Sequence, residues 1–403
     1  MEKRFKILYC ICFVLAIVFG NLKIAGPISI NYVVTIVLFI GCILDKNSFP
    51  KDNYLRFYMI FIALFALTSI GHDVFPDFLK AFVTYYLSSF AWIWATYILV
   101  NKYEGLRCLI LSFCTICFVN SIVTIGQHFM DPMSFAVARA LNLLDTTITD
   151  SILEKSDETV TTFCLYGILG AVPNGYYSAV ASVMSLYLFN RKKRYVFLVY
   201  WLFTLFGLYC VQERAAMVAG LAFSTLFMIK IISNTMSVGQ KILIITVSFA
   251  LLLYGVINFD LNSVLEGSRY ESFEIGSRDR IFALSNEYCL NHLFDANLFD
   301  FFYQTNLYPH NLLYNSIMYG TLVGAFIIFG IMFWVLLKAF RLIKSRMNSS
   351  NSDYIMFAFA LFAYTIVTLT HNASIISGDV LYWILAVPII IYTKPYQKEM
   401  RRW

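Results

Sequence analysis

The sequence predicts an all-α polytopic membrane protein with a single integral membrane domain over residues 1–403, on two observations. First, 60% of the residues are hydrophobic and only 13% are charged. A water-exposed surface needs far more polar side chains than this, so the composition excludes a soluble globule. Second, apolar runs close to the roughly 20 residues that cross a hydrocarbon core of about 30 Å recur along the whole chain.

Twelve of these runs are predicted to form transmembrane helices. The first has the charged-then-apolar character of a signal peptide, but no small-residue cleavage site follows it, so we interpret it as an uncleaved helix. The expected spans are about 6–22, 28–44, 55–71, 80–99, 108–130, 174–190, 195–211, 215–231, 242–258, 312–337, 354–371 and 379–393.

The distribution of charge predicts that both termini lie in the cytoplasm. With that orientation, 22 of the 30 Lys and Arg residues fall on cytoplasmic segments, as the positive-inside rule requires. The outer side receives 18 of the 24 acidic residues. The net charge of +6 therefore reflects topology and does not indicate a nucleic-acid partner.

Two predicted outer loops are longer than ordinary connections, at residues 131–173 and 258–311. Loops longer than about 15 residues are uncommon unless they are functional or disordered. In the second loop, Ile281, Leu284 and Tyr288 recur at helical spacing and predict an amphipathic helix on or near the membrane surface. Because no P-loop or nucleotide fingerprint occurs, any reaction must draw its energy from the substrate.

The candidate binding residues are arginines next to predicted helix starts. Arg214 precedes a helix that begins at the outer face, and a second such helix starts beside His310 and Asn311. Helix N-termini attract anions, and Arg214, Arg278 and Arg280 would add forks that suit phosphate or pyrophosphate. His310 supplies a group that can take a proton near neutral pH. No metal or cofactor is predicted, because the His and Cys residues of the outer segments lack ligand spacing.

Each of these residues has a structural alternative. Arg214 could be an interfacial arginine paired with Glu213, and Arg278 and Arg280 could lie on a solvated helix face. The imidazole of His310 could do no more than satisfy loop carbonyls. Gly320 and Gly324 form a G-x-x-x-G pattern, which predicts close helix packing and no catalytic role.

Three segments together resemble one protein family. They are the Arg214 segment "RAAMVAG", the loop segment "SRDRIF", and "HNLLYNSIMYGTLVGAFIIFG" from His310; "PNG" at Asn174 adds to them. In this order they resemble the O-antigen polymerase and ligase superfamily of bacterial envelopes, over about residues 166–330. The chain departs from the family pattern at Glu213, where Ser or Thr is usual, and in having no Arg ahead of "PNG".

The resemblance implies a metal-independent glycosyltransferase with a GT-C-like helical bundle in the bacterial inner membrane, its active site facing the periplasm. It implies that Arg214 and Arg278 hold the donor pyrophosphate, with Arg280 in reserve, and that His310 activates the acceptor hydroxyl. Asn311, Glu213 and Asn174 are further substrate-binding candidates.

The implied partners are undecaprenyl-pyrophosphate-linked oligosaccharides as donor and acceptor, the lipid bilayer, and a regulator of chain length. The implied reaction joins lipopolysaccharide repeat units. Two alternatives stay open. A ligase of the same superfamily would transfer finished polymer to lipid A-core, and a lipid-linked oligosaccharide flippase would also have about twelve helices. A flippase should carry ionisable residues at helix centres, where this sequence has almost none.

Overall fold

The computed structural model describes residues 2–20, 22–25, 28–45, 53, 55–56, 59–60, 63, 87–102, 106–140, 167–169, 171–192, 194–211, 213–235, 277–307, 309, 311–346, 353–371 and 380–393. These residues form thirteen α-helices and one small hairpin of strands. The helices are α1 Glu2–Phe19, α2 Ile30–Leu44, α3 Ser88–Lys102, α4 Leu106–His128, α5 Pro132–Ala140, α6 Ala171–Lys192, α7 Val196–Val211, α8 Arg214–Thr235, α9 Ser277–Asn291, α10 Leu298–Thr305, α11 Leu312–Arg346, α12 Asp353–His371 and α13 Val380–Tyr392.

Ten predicted spans are confirmed as helical over most of their described residues, by α1–α4, α6–α8 and α11–α13; residues 80–86 of the span at 80–99 lie outside the described residues. The predicted spans at 55–71 and 242–258 lie wholly or largely outside the described residues. Within the described part, two helical stretches are long and apolar enough to cross a membrane, Leu106–His128 and Leu312–Lys344. The structure is thus that of a helical protein compatible with a membrane bilayer, and the twelve-span topology stays a prediction.

The all-α expectation misses one short element. Strands β1 Lys23–Ala25 and β2 Ile28–Ser29 pair in antiparallel fashion between α1 and α2, with Lys23 opposite Ser29.

Helix α6 is the centre of the bundle, in contact with α4, α7, α8 and α12. Every residue from Asn174 to Leu188 is buried. Small side chains in α6 allow the neighbouring helices to pack closely. For example, the hydroxyl of Ser182 donates to the carbonyl of Gly220 in α8 at 3.3 Å. The side chains from Asn174 to Leu188 are therefore surrounded by protein.

Helix α11 is interrupted after its first turns. Gly320 and Thr321 have non-helical dihedral angles, and Thr321 lies at φ 59°. The amide of Leu322 donates to the carbonyl of Leu293, in the turn after α9, at 2.8 Å. Gly320, assigned to helix packing by the sequence pattern, is thus one of the two residues at which α11 is broken.

The turns of α11 on both sides of this break pack with α9 and α10 in a second apolar cluster, separate from the main core. Its members are Tyr288, Cys289, Ala296, Leu298, Phe301, Ile317, Met318 and Ala325. The predicted amphipathic helix is confirmed by α9, and protein covers its apolar face: Tyr288 is buried in this cluster, Leu284 packs against it and Ile281 is also buried. The expected location of α9 on or near the membrane surface stays a prediction.

Candidate functional site

A group of polar side chains is buried where α4, α6 and α8 meet. We call it the polar cluster; its members are Asn120, Thr124 and Gln127 of α4, Asn174 and Ser178 of α6, and Glu213 directly before α8. None of these six residues is more than 3% exposed. Polar side chains inside an apolar bundle are costly unless they are paired, so their gathering at one place marks a candidate site.

Asparagine side chains join α4 to α6. Asn120 donates from Nδ2 to Oδ1 of Asn174 at 2.6 Å, and Asn174 donates from Nδ2 to the hydroxyl of Thr124 at 3.0 Å. The hydroxyl of Ser178 also donates to Oδ1 of Asn174, at 3.3 Å. These bonds orient the Asn174 amide in one direction.

The same α4 face holds the end of the first long loop. Oδ1 of Asn120 accepts from the amides of Ile168 and Leu169, at 2.7 and 3.2 Å. Oε1 of Gln127 accepts from the amide of Gly167 at 2.9 Å. Gly167 has φ 54°, and a Cβ at this residue would collide with Asn120, so glycine is required at this turn. Helix α4 thereby fixes the approach of the chain to α6.

Glu213 closes the cluster from the α8 side. Its carbonyl accepts from the amide of Met217 at 3.0 Å, which makes Glu213 the N-cap residue of α8. Its carboxylate lies directly against Gly175, where any Cβ would overlap it. A negative charge at a helix N-terminus is stabilised by the helix dipole. Glu213 and the "PNG" segment, far apart in sequence, are thus neighbours in the fold.

The start of α11 is held by a second polar arrangement. Nδ2 of Asn315 donates to the carbonyls of Pro309 and Asn311, at 2.7 and 3.1 Å. Oδ1 of Asn311 accepts from the amide of Leu313 at 2.7 Å. Asn315 is 5% exposed, so these bonds are protected from water. It therefore ties down the chain on both sides of position 310.

The starts of α6 and α8 lie together at one end of the bundle, which we call the Asn174 end. The contact of the Glu213 carboxylate with Gly175 puts the start of α8 beside the first turns of α6. Tyr176 of α6 packs on Tyr364, in the second half of α12, at a ring separation of 5.4 Å. Helix α12 packs in turn against α11, whose first residue, Leu312, is buried in the main apolar core.

The structure describes some of the predicted site residues and not others. Asn174 and Glu213 come together in the polar cluster, and Asn311 caps α11. Arg214 is the first residue of α8 and Arg278 the second of α9, but their side chains lie outside the described residues. Arg280 is exposed on α9, and His310 lies outside the described residues. Among the described residues, no three His, Cys, Asp or Glu side chains are grouped as a metal site needs.

Four members of the polar cluster were not predicted from the sequence: Asn120, Thr124, Gln127 and Ser178. Asn120, Thr124 and Gln127 follow one another at i, i+4 and i+7 in an otherwise apolar span, which places them on one helix face. Polar residues with this spacing inside a membrane span are a recognisable sign of a buried site. Only the tertiary structure shows that two of these three, Asn120 and Thr124, pair with Asn174.

The fold and the site together define a class: a helical, predominantly apolar bundle with a buried polar cluster at the end where α6 and α8 begin. No protein-family model matches the chain, and no curated protein matches its sequence.

Proposed function

We propose that this protein is an O-antigen polymerase, a glycosyltransferase that joins undecaprenyl-pyrophosphate-linked repeat units at the periplasmic face of the inner membrane. The proposal rests chiefly on one observation, the contact of Glu213 with Gly175, which brings the starts of α6 and α8 together. These two starts carry Asn174 and Glu213 with Arg214, and the start of α11 carries Asn311 next to His310; the family resemblance depends on these residues.

The chemistry follows from the residue types at these starts. Helix N-termini present unpaired N–H groups and a partial positive charge, which favours the pyrophosphate of a lipid-linked donor. The guanidinium groups of Arg214 and Arg278 would stabilise the negative charge that develops on the leaving pyrophosphate. These groups need no metal and no nucleotide sugar.

In the proposed reaction, His310 takes the proton of the acceptor hydroxyl while that oxygen attacks the anomeric carbon of the donor sugar. The bond from this carbon to the pyrophosphate oxygen breaks, and undecaprenyl pyrophosphate leaves with the electron pair. Asn315 would support this step by holding both residues that flank His310. Glu213 would contact the acceptor sugar.

The test is gel analysis of lipopolysaccharide from bacterial cells that lack this protein, with and without complementation. A single repeat unit on the core, in place of the ladder, supports the polymerase. Core without any repeat, together with polymer accumulating on undecaprenyl pyrophosphate, supports the ligase instead. Lipid-linked repeat units retained on the cytoplasmic face would support a flippase.

The role of His310 is tested with His310→Ala in the same cells. Loss of a general base costs about 10²- to 10⁴-fold in rate, so the polymer ladder should disappear while the protein remains folded and inserted. His292→Ala is the matched control, because His292 is partly exposed in the turn after α9, where its side chain pairs with Asp295 at 3.4 Å and stacks on Tyr288. A normal ladder from His310→Ala would refute the base assignment.

A further inference from the structure

The apolar residues of α11 that are exposed after the helix break form one stripe. Its members follow one another at alternating steps of three and four residues: Val323, Phe326, Gly330, Phe333, Leu337 and Phe340. Phe326 is 71% and Phe333 63% exposed. This spacing puts all of them on one face, and such a face on an apolar helix is suited to lipid. Exposed Arg341 and Lys344 follow at its far end, where basic residues reach the headgroups.

The stripe by itself is too short to cover a bilayer core. From Val323 to Phe340 it spans 17 residue steps, or about 26 Å at 1.5 Å per residue. The hydrocarbon core is about 30 Å thick, and any tilt of the helix shortens its coverage further. On the α9 side of the protein, several ångströms of the hydrocarbon core of the bilayer are therefore left uncovered by the stripe. Another element must provide the apolar surface there.

The turn after α9 provides such a surface at the right position. Leu293 is bonded through its carbonyl to the amide of Leu322, so its neighbour Phe294 lies beside the residue at which the stripe begins. Phe294 is 69% and Leu290 63% exposed, although the opposite face of the same helix is buried in the second cluster. The side chains of the adjacent His292 and Asp295 pair at 3.4 Å, and such polar side chains are expected at the level of the lipid headgroups.

We infer that Leu290 and Phe294 insert into the acyl chains of the leaflet on the α9 side and complete the lipid-facing surface of α11. The partner is the bilayer, and the insertion fixes the depth of α9. Because position 280 precedes Leu290 by ten residues, the basic start of α9 lies up to about 15 Å along the helix from this anchor. The inference does not depend on the proposed enzymatic reaction.

The test places an environment-sensitive dansyl amino acid at position 294, and separately at position 290, in the full-length protein reconstituted into phosphatidylcholine vesicles. Two quenchers are compared: a lipid nitroxide carried near the headgroup end of the acyl chain, and aqueous iodide. Position 326 serves as the lipid-facing reference, and position 287, an exposed glutamate two turns before Phe294, as the water-facing reference.

Positions 290 and 294 should be quenched by the lipid nitroxide to the same extent as position 326 and be protected from iodide. Position 287 should show the reverse. Quenching of positions 290 and 294 by iodide alone would overturn the inference, because it places them in water. Protection from both quenchers would also overturn it, because protein would then cover these side chains.

Discussion

Asn120 in α4 donates a 2.6 Å hydrogen bond to Asn174 in α6, and both side chains are fully removed from solvent. This bond connects the helix that holds the end of the first long loop with the helix at the centre of the bundle. Interhelical hydrogen bonds in membrane bundles contribute about 0.6 kcal/mol each on average, so a single bond is modest. Asn120, however, makes three.

Removal of the Asn120 side chain should therefore have a large effect for a single polar residue. Asn120→Ala leaves the amides of Ile168 and Leu169 without their acceptor, at about 1–3 kcal/mol for each buried group left unsatisfied, and removes one donor to Oδ1 of Asn174, which keeps the Ser178 hydroxyl. We expect a clearly lower thermal unfolding midpoint in detergent. Asn101→Ala, an exposed asparagine bonded to Tyr97, is the matched control and should leave the midpoint nearly unchanged. Equal midpoints for the two variants would contradict a stabilising network.

The packing of Gly175 on Glu213 gives a second prediction. In Gly175→Ala the added methyl group would overlap the Glu213 carboxylate, so the start of α8 must move away from α6. We expect loss of both stability and polymer formation. Gly330→Ala is the control, because nothing lies within 4 Å of a Cβ at that position and alanine is the better helix former by about 1 kcal/mol. A fully active Gly175→Ala would show that this contact is dispensable.

Asn315 should affect turnover more than stability. Asn315→Asp keeps the shape of the side chain but removes the Nδ2 donor that holds the carbonyls of Pro309 and Asn311. A displacement of about 1 Å at a catalytic group can cost roughly a hundredfold in rate, so repeat-unit polymerisation in vesicles should fall by about that factor.

Asn306→Asp, an exposed change at the end of α10, should retain normal turnover. Unchanged turnover in Asn315→Asp would separate Asn315 from the site, and lost turnover with a sharply lower unfolding midpoint would assign it a structural role only.

Arg214 is expected to need its guanidinium and not merely its charge. A lysine is a point charge that cannot reproduce a two-bond fork on pyrophosphate, and a hydrogen bond to a charged group is worth about 1.5–3 kcal/mol. Arg214→Lys should lower kcat/KM for the lipid-linked donor about 10- to 100-fold. Arg107→Lys, an exposed change at the start of α4, is the control. Full activity in Arg214→Lys would reduce Arg214 to an anchor at the membrane interface.

Acid should loosen helix α5. The hydroxyl and the amide of Ser134 donate to Oδ2 of Asp131 at 2.7 and 2.9 Å, and these bonds lower the pKa of the Asp131 carboxyl. Because the pKa is lower in the folded state, the stabilisation is present above the unfolded value of about 3.9 and is lost as pH falls through the folded value. Amide hydrogen exchange in α5, measured relative to the intrinsic exchange rate at each pH, should therefore become faster at acid pH. Asp131→Asn should remove this pH dependence, and an unchanged acid profile in that variant would assign the effect to another group.

The sequence allowed the helices to be predicted well and the site only in part. Runs such as residues 354–371 are predicted to be helical with little dependence on the rest of the fold, because a continuous apolar run of that length favours a helix. Asn174 and Glu213 were selected as candidates, yet nothing in the sequence placed them side by side. The interruption of α11 at Thr321 was not predicted, since its cause is a hydrogen bond from Leu322 to a turn 29 residues earlier in the chain.

By itself, the sequence determined the apolar, helical character of the protein, because hydrophobicity and length act locally along the chain. It also determined which residue types stand at the helix starts. Only the tertiary structure decided that Asn120 meets Asn174 across 54 residues, that Glu213 fits against Gly175, and that the apolar face of α9 is covered by protein. Such pairings depend on which helix surfaces come into contact, and this is settled by the packing of the whole bundle.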